Sequence, residues 1–185
     1  VATFGQLAVA LGDKSAARWV GHAVRHEVDD QTLPLHRIVQ ADGSPGGHLD
    51  ATSEQTLKVL VAEGAHVTKG RVDLTTAKVD LDGTRPLARL RELQDSFEPT
   101  IPDELVERPE SIAGVDVSYR GDNAFACYAR LDDAHQTEPT FSCVHQERVE
   151  FPYISGYHTF RELPPLATLL AKVREQDQLA DVILV

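Results

Sequence analysis

Apolar residues recur at helical spacing in the first part of the chain. Phe4–Leu11 is a short amphipathic run that Thr3 can cap and Gly12 can end. A second run, Ala16–His26, follows Ser15 as its expected N-cap. One side of this run is apolar, and the other carries basic residues at spacings of three and four, namely Lys14, Arg18, His22 and Arg25. The pattern predicts a helix-turn-helix, with a plain solvent-exposed helix face as the alternative interpretation of the basic side. A third helix is expected over Ser53–Ala62.

Strand-like apolar runs dominate the second part of the chain. An amphipathic helix is expected over Leu87–Ser96, and Phe160–Arg174 is expected to form a helix that Pro164-Pro165 interrupts early. The runs that predict strands are Ile112–Tyr119, Ala124–Leu131, Phe141–Phe151 and Ala180–Val185. Three consecutive strands suited to antiparallel pairing, then a helix and a crossover strand, predict an α/β sheet of the ribonuclease-H type.

The charge of the chain is unevenly distributed. Its 185 residues include 18 Lys and Arg against 29 Asp and Glu, a formal net charge of −11, which argues against a nucleic-acid binder with a basic face. Residues 1–73 hold 7 basic and 9 acidic residues, however, whereas residues 74–185 hold 11 and 20. With the polar stretch that ends in Asp82-Gly83 and Pro86, this shift predicts a first domain over 1–73, a linker over 74–86 and a second domain over 87–185.

Composition also bounds where the protein works. No apolar run is long enough to span a bilayer, and the first residues lack the basic start and apolar core of a signal peptide. Two cysteines do not make a disulfide framework. We therefore expect a cytoplasmic protein without a membrane partner. Ile112–Tyr119 is expected to be a buried strand with one carboxylate, Asp116. This residue is the candidate for chemistry, because a lone Asp within an apolar strand is costly unless it is paired or binds a cation. A turn-capping Asp is the alternative.

Five motifs in the first part of the chain resemble one family. They are TFGQLA (residues 3–8), AARWVGHAVR (16–25), LPLHRIV (33–39), DGSPGG (42–47) and LVAEG (60–64). In this order they closely resemble the DNA-binding domain of the O6-alkylguanine-DNA alkyltransferase family. The resemblance implies a mainly α winged helix-turn-helix that binds the minor groove of double-stranded DNA and flips a damaged base into a pocket.

The resemblance also implies roles for individual residues. Arg18 matches the arginine that inserts through the base stack, with His22 and Arg25 beside it on the DNA-binding helix. Phe4 matches an aromatic residue that helps to rotate the phosphate and the base. The lesion pocket is expected at Leu35, His36 and Glu63, where His36 and Glu63 match the relay that activates the nucleophile. Arg37 is expected to contact DNA beside them.

Leu35 stands where the family has its reactive cysteine. Alkyl transfer needs a thiolate whose pKa a neighbouring base has lowered, and leucine carries no nucleophile. We therefore expect no alkyltransferase activity. The chain is similar to the alkyltransferase-like subgroup, which binds alkylated guanine without repairing it and hands the lesion to other repair proteins.

The second part of the chain resembles another family. AGVDVSY (residues 113–119), PYISGYHTFRELP (152–164) and ADVILV (180–185) are similar to endonuclease V, a nuclease of ribonuclease-H fold that cuts DNA 3′ to deoxyinosine and other deaminated bases. The resemblance implies that Asp116 and Glu162 are catalytic metal ligands for Mg²⁺ or Mn²⁺, and that Tyr153 belongs to a wedge that pries the damaged strand apart. Tyr119 and Arg161 are interpreted as packing and surface charge.

The chain ends within an apolar run, Asp181–Val185. In endonuclease V the matching strand continues into an Asp that completes the metal site, so we expect the endonuclease V-like sheet to be incomplete here and the chain alone to be inactive. The complete parent protein is expected to be a DNA-repair hydrolase that recognises alkylated guanine and incises DNA near deaminated bases. The alternatives are a non-enzymatic damage sensor that recruits repair factors and a winged-helix transcription regulator.

Overall fold

The computed structural model describes residues 1–28, 32–47, 52–76, 81, 83–97, 109–133 and 135–185. The chain divides into two compact units. The first comprises Val1–Phe97 together with Ile154–Gly156, and the second comprises Glu98–Tyr153 together with Tyr157–Val185. A helical first unit is thus followed by a mixed sheet with one long helix, which confirms the general order of elements. The winged-helix and ribonuclease-H assignments stay predictions.

Helix α1, Phe4–Leu11, has the bounds that the sequence predicts. The Thr3 hydroxyl accepts a hydrogen bond from the Gln6 backbone N–H, and the Gln6 side-chain oxygen accepts one from the Thr3 N–H at 2.8 Å. This reciprocal pair satisfies two of the donors that a helix start leaves open. Gly12, with φ +106°, ends the helix.

Helix α2, Ala17–His26, begins differently from the prediction. Asp13, rather than Ser15, provides the cap, because its carboxylate accepts the Ser15 N–H at 2.8 Å and starts a 3-10 turn over Lys14–Ala16. The expected Ser15 cap is therefore wrong. The expected faces are confirmed, since Val20, Gly21, Ala23 and Val24 are buried while the basic side is exposed.

The remaining elements of the first unit surround a small core of Val39, Leu60 and Val72. Helix α3 spans Ser53–Ala62, as predicted, and helix α4 spans Pro86–Asp95. Four two-residue strands complete the unit. β1 (Ala2–Thr3) pairs in parallel with β2 (Ile38–Val39), and β3 (Val67–Thr68) forms a hairpin with β4 (Arg71–Val72). These strands are too short to show a period, so the sequence did not predict them.

Helix α4 lies in the first compact unit, although the sequence placed it at the start of the second domain. Leu87 is 5% exposed, and Arg91 Nη2 donates to the Asp13 carboxylate at 3.0 Å. These contacts anchor α4 to the turn after α1. The domain bounds themselves stay a prediction.

A four-stranded sheet forms the second unit. Its strands are β5 (Ile112–Arg120), β6 (Asn123–Leu131), β7 (Phe141–Arg148) and β8 (Val182–Leu184). Their order is β7-β6-β5-β8, with β5, β6 and β7 antiparallel and β8 parallel to β5. The predicted antiparallel run and the crossover strand are confirmed.

Helix α5, His158–Glu175, covers one face of this sheet. Leu169 and Val173 pack with Ala113, Ala126 and Tyr128 into the core of the unit. The opposite face is open, and Asp116, Cys127 and Val144 lie side by side on it. The expectation that β5 is buried around its carboxylate is therefore wrong, because successive side chains of a strand point to opposite faces and Asp116 points to the open one.

Pro164 and Pro165 lie inside α5 and do not interrupt it. The expected break is wrong because the helix already begins at His158, and its apolar side, Pro165, Leu169 and Val173, stays buried across the prolines. Within the residues that the structure describes, no helix is long and apolar enough to cross a membrane.

Candidate functional site

The basic side of α2 is the first candidate surface. Its members Lys14, Arg18, His22 and Arg25 are all exposed. His22 lies 3.5 Å from the Glu27 carboxylate, and both side chains remain at least half exposed. Arg18 has no hydrogen bond or ion pair with any residue that the structure describes. Its guanidinium is therefore available to a phosphate or a base.

Phe4 occupies a different environment from that expected of a DNA contact. Its ring is 8% exposed and lies beneath the guanidinium of Arg25, whose central carbon is 5.5 Å from the ring centroid. A cation above an aromatic face is attracted by the ring electrons. Phe4 thus supports Arg25 in this structure, and its role in rotating a phosphate stays a prediction.

Two residues of the predicted lesion pocket, His36 and Glu63, come together with Arg37, which was predicted to contact DNA. His36 Nε2 lies 3.0 Å from Glu63 Oε1, while Arg37 donates from Nε to Oε2 at 2.9 Å and from Nη2 to Oε1 at 3.0 Å. The hydrogen bonds from Arg37 and then from His36 lower the pKa of Glu63 to about 2. The same pairing raises the pKa of Arg37. Glu63 is therefore ionised and orients both neighbours.

Leu35 precedes this cluster and is 4% exposed. A pocket of about 490 Å³ opens beside the cluster and is lined in part by Arg37, Glu63 and His66. Both cysteines, Cys127 and Cys143, are free and belong to the sheet of the second unit. The cluster can hold and polarise a polar group, but the side chain at position 35 cannot accept an alkyl group.

The two predicted metal ligands lie on different elements. Asp116 is exposed on the open face of β5, and Glu162 is half-buried on α5. Neither carboxylate has a hydrogen bond to a residue that the structure describes. Across the same described ranges, no group of three or more His, Cys, Asp or Glu side chains could hold a metal ion. Both side chains carry the hard oxygen atoms that Mg²⁺ prefers, but within the described ranges they do not form a complete metal site, and their role as ligands stays a prediction.

Tyr153, the expected wedge residue, is 61% exposed. Its ring packs on that of His158, with the centroids 5.0 Å apart. Arg161 and Tyr119, interpreted from sequence as surface charge and packing, contact each other, with the guanidinium 4.4 Å from the Tyr119 ring centroid. Sequence reasoning missed this pair. The signal was the position of each residue, within three residues of a candidate carboxylate on its own element.

Comparison with known families decides the interpretation of both units. The DNA-binding domain of 6-O-methylguanine DNA methyltransferase matches residues 1–65, and Endonuclease V matches residues 94–185. Residues 1–65 are thus similar to one family and residues 94–185 to another. The first matched segment contains α1 to α3 and the whole Glu63 cluster, whereas the second contains the whole four-stranded sheet and α5.

Two relatives named bifunctional methyltransferase/endonuclease are similar to nearly the whole chain. A bifunctional methyltransferase/endonuclease of Picrophilus torridus is 31% identical over 170 residues, which are 91% of this chain and 55% of that protein. One from Thermoplasma volcanium is 31% identical over 166 residues, covering 88% of this chain and 50% of that protein. The chain thus spans about half the length of these relatives.

The endonuclease V segment also matches solved structures. The catalytic domain of human Endonuclease V aligns with a TM-score of 0.44 and 23% identity, over 54% of this chain and 46% of that one.

Proposed function

We propose that the chain belongs to a DNA-repair protein whose first unit binds alkylated guanine in double-stranded DNA without removing the alkyl group. The observation that carries this proposal is the buried Leu35 beside an assembled His36–Glu63–Arg37 cluster. A binding function explains why the polar cluster is kept, since it can orient a base or a phosphate without a nucleophile. The basic side of α2, as the DNA-binding helix of a winged helix-turn-helix, supplies the attraction for the backbone.

The experiment that tests the function of the first unit tracks the labelled methyl group of the lesion. Purified protein is incubated with a duplex that carries O6-methylguanine labelled in its methyl group, and binding is compared with that of an unmodified duplex. We expect tighter binding to the methylated duplex and no label on the protein. Label on the protein would refute the proposal, and equal binding to both duplexes would refute lesion recognition.

For the second unit we propose an endonuclease V-type activity on a ribonuclease-H-like sheet, with Mg²⁺ or Mn²⁺ as the metal and DNA near deoxyinosine as the substrate. The support is the family match together with two carboxylates, Asp116 and Glu162, that lack a hydrogen-bond partner in the described part of the chain. A bound divalent ion would supply the charge that activates water and stabilises the leaving oxygen. With two such carboxylates among the described residues, weak metal binding and slow cleavage are expected.

Manganese binding tests the metal site without requiring cleavage. Mn²⁺ broadens the NMR signals of nearby residues, so we expect broadening around Asp116 and Glu162 that Asp116→Asn weakens. Asp132→Asn is the matched control, because Asp132 is an exposed carboxylate directly after β6, paired with Arg130. Broadening that Asp116→Asn leaves unchanged would contradict the assignment. Rapid nicking of a deoxyinosine duplex by residues 1–185 would contradict the expected weakness of this site.

A non-enzymatic damage sensor remains the second candidate. It is favoured by the lack of any three-ligand metal cluster among the residues that the structure describes. In that case the second unit would act as a scaffold that recruits other repair proteins. Metal-dependent nicking by the full-length protein that disappears in Asp116→Ala separates the two, because a sensor would show no nicking to lose.

A further inference from the structure

Arg161 makes contacts that a surface charge does not make. It lies on α5 and reaches two other segments of the second unit. Its guanidinium carbon is 4.4 Å from the centroid of the Tyr119 ring on β5, and its Nη1 donates to the Phe151 carbonyl at 2.7 Å. Its Nε is buried and has no hydrogen-bond partner among the described residues. A buried donor of this kind is costly, so the side chain is held there by its other contacts.

Tyr119 is a suitable partner for a cation. Burial, and then the negative charge of Glu162, raise the pKa of Tyr119. The contact itself rests on geometry, since the face of the ring lies against the guanidinium. The flat shape of the guanidinium also allows it to stack on the ring while one of its ends donates to a carbonyl, which a lysine ammonium cannot do in the same way.

The three segments that meet at Arg161 carry the candidate chemistry of the unit. Phe151 is two residues before Tyr153, Tyr119 is three residues after Asp116, and Glu162 is the next residue after Arg161. Resting on the proposed nuclease function, we propose that Arg161 is a positioning residue that fixes the Tyr153 segment relative to the strand of Asp116 and the helix of Glu162. It acts through Tyr119 and the Phe151 carbonyl rather than by touching the substrate.

Four substitutions separate this role from general packing. Arg161→Lys keeps the charge and loses the planar group, and Tyr119→Leu removes the ring. Tyr119→Phe keeps the ring and removes only the hydroxyl. Arg174→Lys is the matched control, because Arg174 is an exposed arginine near the other end of the same helix. Thermal unfolding of each variant shows whether it folds before any function is compared.

The first measurement uses a duplex with 2-aminopurine next to deoxyinosine, whose fluorescence rises when the strand is pried apart. The protein is added to saturation, so that differences in affinity do not contribute. We expect Arg161→Lys and Tyr119→Leu to reduce the rise about threefold, the scale of a lost cation–π contact. Tyr119→Phe and Arg174→Lys should match the wild type. A wild-type rise in both Arg161→Lys and Tyr119→Leu would overturn the proposal.

The second measurement uses the free protein without DNA. It therefore tests the positioning role of Arg161 independently of the proposed nuclease function. Hydrogen exchange of the Tyr153 amide is followed by NMR in the free protein. We expect faster exchange in Arg161→Lys than in Arg174→Lys, because the tie to Phe151 is lost, and unchanged exchange would overturn the positioning role. If the wild type gives no fluorescence rise, or Tyr153→Ala gives the same rise, the wedge function fails, and the exchange result alone decides the role of Arg161.

Discussion

Arg37 and His36 both lie within hydrogen-bond distance of the Glu63 carboxylate, and both lower its pKa. Its pKa falls from 4.5 to about 2, first through Arg37 and then through His36. A carboxylate whose pKa is lower in the folded state contributes stability above its unfolded pKa and loses it as the pH falls through the folded value. We expect Glu63→Gln to lower the melting temperature at pH 7, and the difference from wild type to shrink between about pH 4.5 and pH 2.

The control for this prediction is Glu54→Gln. Glu54 pairs with Lys58 at 2.7 Å on the surface of α3, and both side chains are more than 70% exposed. Exposed pairs of this kind contribute little to stability. A melting difference for Glu63→Gln that does not depend on pH in this range would show that the cluster is not held by charge.

Single residues show what could and could not be predicted from the sequence. His36, Arg37 and Glu63 were placed together through their motifs, and the structure joins them by three hydrogen bonds. Asp116 was chosen as a buried carboxylate, yet it is exposed. The sequence shows which residues alternate along a strand, but what covers each face depends on the packing of distant elements. The Arg161–Tyr119 contact was missed for the same reason.

Helix α2 carries the electrostatic part of the proposed DNA binding. Each phosphate that a cation neutralises adds about −0.9 to the slope of log K against log salt. With Lys14, Arg18 and Arg25 as the exposed cations of this face, we expect a slope near −3. Arg18→Ala should weaken binding, reduce the slope by about one and lower the preference for O6-methylguanine. Fluorescence anisotropy over a salt series measures all three.

Lys58→Ala removes the same charge from α3, where Lys58 is paired with Glu54 and 73% exposed. It should leave the lesion preference unchanged. If Arg18→Ala and Lys58→Ala behave alike, binding depends on net charge rather than on α2, and the role assigned to Arg18 is wrong.

The turn at Gly43 determines how the β3–β4 hairpin packs. Gly43 has φ +81°, its carbonyl accepts the Val72 N–H at 2.8 Å, and a Cβ placed on it would overlap the Val72 carbonyl oxygen. Gly70, at the tip of the hairpin, has φ +75° and open space around it. We expect Gly70→Ala to cost about 1–2 kcal/mol from backbone strain alone. Gly43→Ala should cost about 1–3 kcal/mol more because it also overlaps its neighbour.

Denaturant titration of the two glycine variants provides the comparison. Equal losses of stability would show that the hairpin can move away from Gly43. The close contact between Gly43 and Val72 would then add nothing to the free energy cost of Gly43→Ala.

At the level of elements, local signals were the most reliable. The capping box at Thr3 and the left-handed Gly12 fixed both ends of α1, and α3 has its predicted bounds. The break predicted at Pro164 and Pro165 is wrong, because burial of the apolar side of α5 offsets the cost of proline inside a helix. That burial depends on the folded unit, so the sequence does not show it. The two-residue strands β1 to β4 depend on tertiary pairing and carry no local signal.

For the whole molecule, the overall charge of −11 hides two different surfaces. Most of the acidic excess belongs to residues 74–185. Residues 1–73, which include the basic face of α2, are nearly neutral in total charge. An average over the chain is therefore a poor guide to whether residues 1–73 present a basic face to DNA. The acidic excess of the second part is expected to limit binding by repelling the backbone, most strongly at low salt.

Linking two DNA-binding units predicts a gain on doubly damaged DNA. Once the first unit is bound, the second experiences a high effective concentration of the same duplex. We expect a duplex that carries both O6-methylguanine and deoxyinosine to bind about a hundredfold more tightly than either singly damaged duplex. Anisotropy titrations at several lesion separations measure this. Equal affinity for singly and doubly damaged duplexes at every separation would show that the two units do not bind together.

The parallel pairing of β5 with β8 has a consequence for synthesis. Ile112 lies opposite Val182, so 70 residues separate partners that hydrogen-bond in the finished sheet. At about 5–20 residues per second, a ribosome releases β8 roughly 4–14 seconds after β5. Until then β5 is the unpaired edge of a nascent three-stranded sheet, and unpaired edges recruit other strands. This interval is when the growing chain is most exposed to aggregation and most in need of a chaperone.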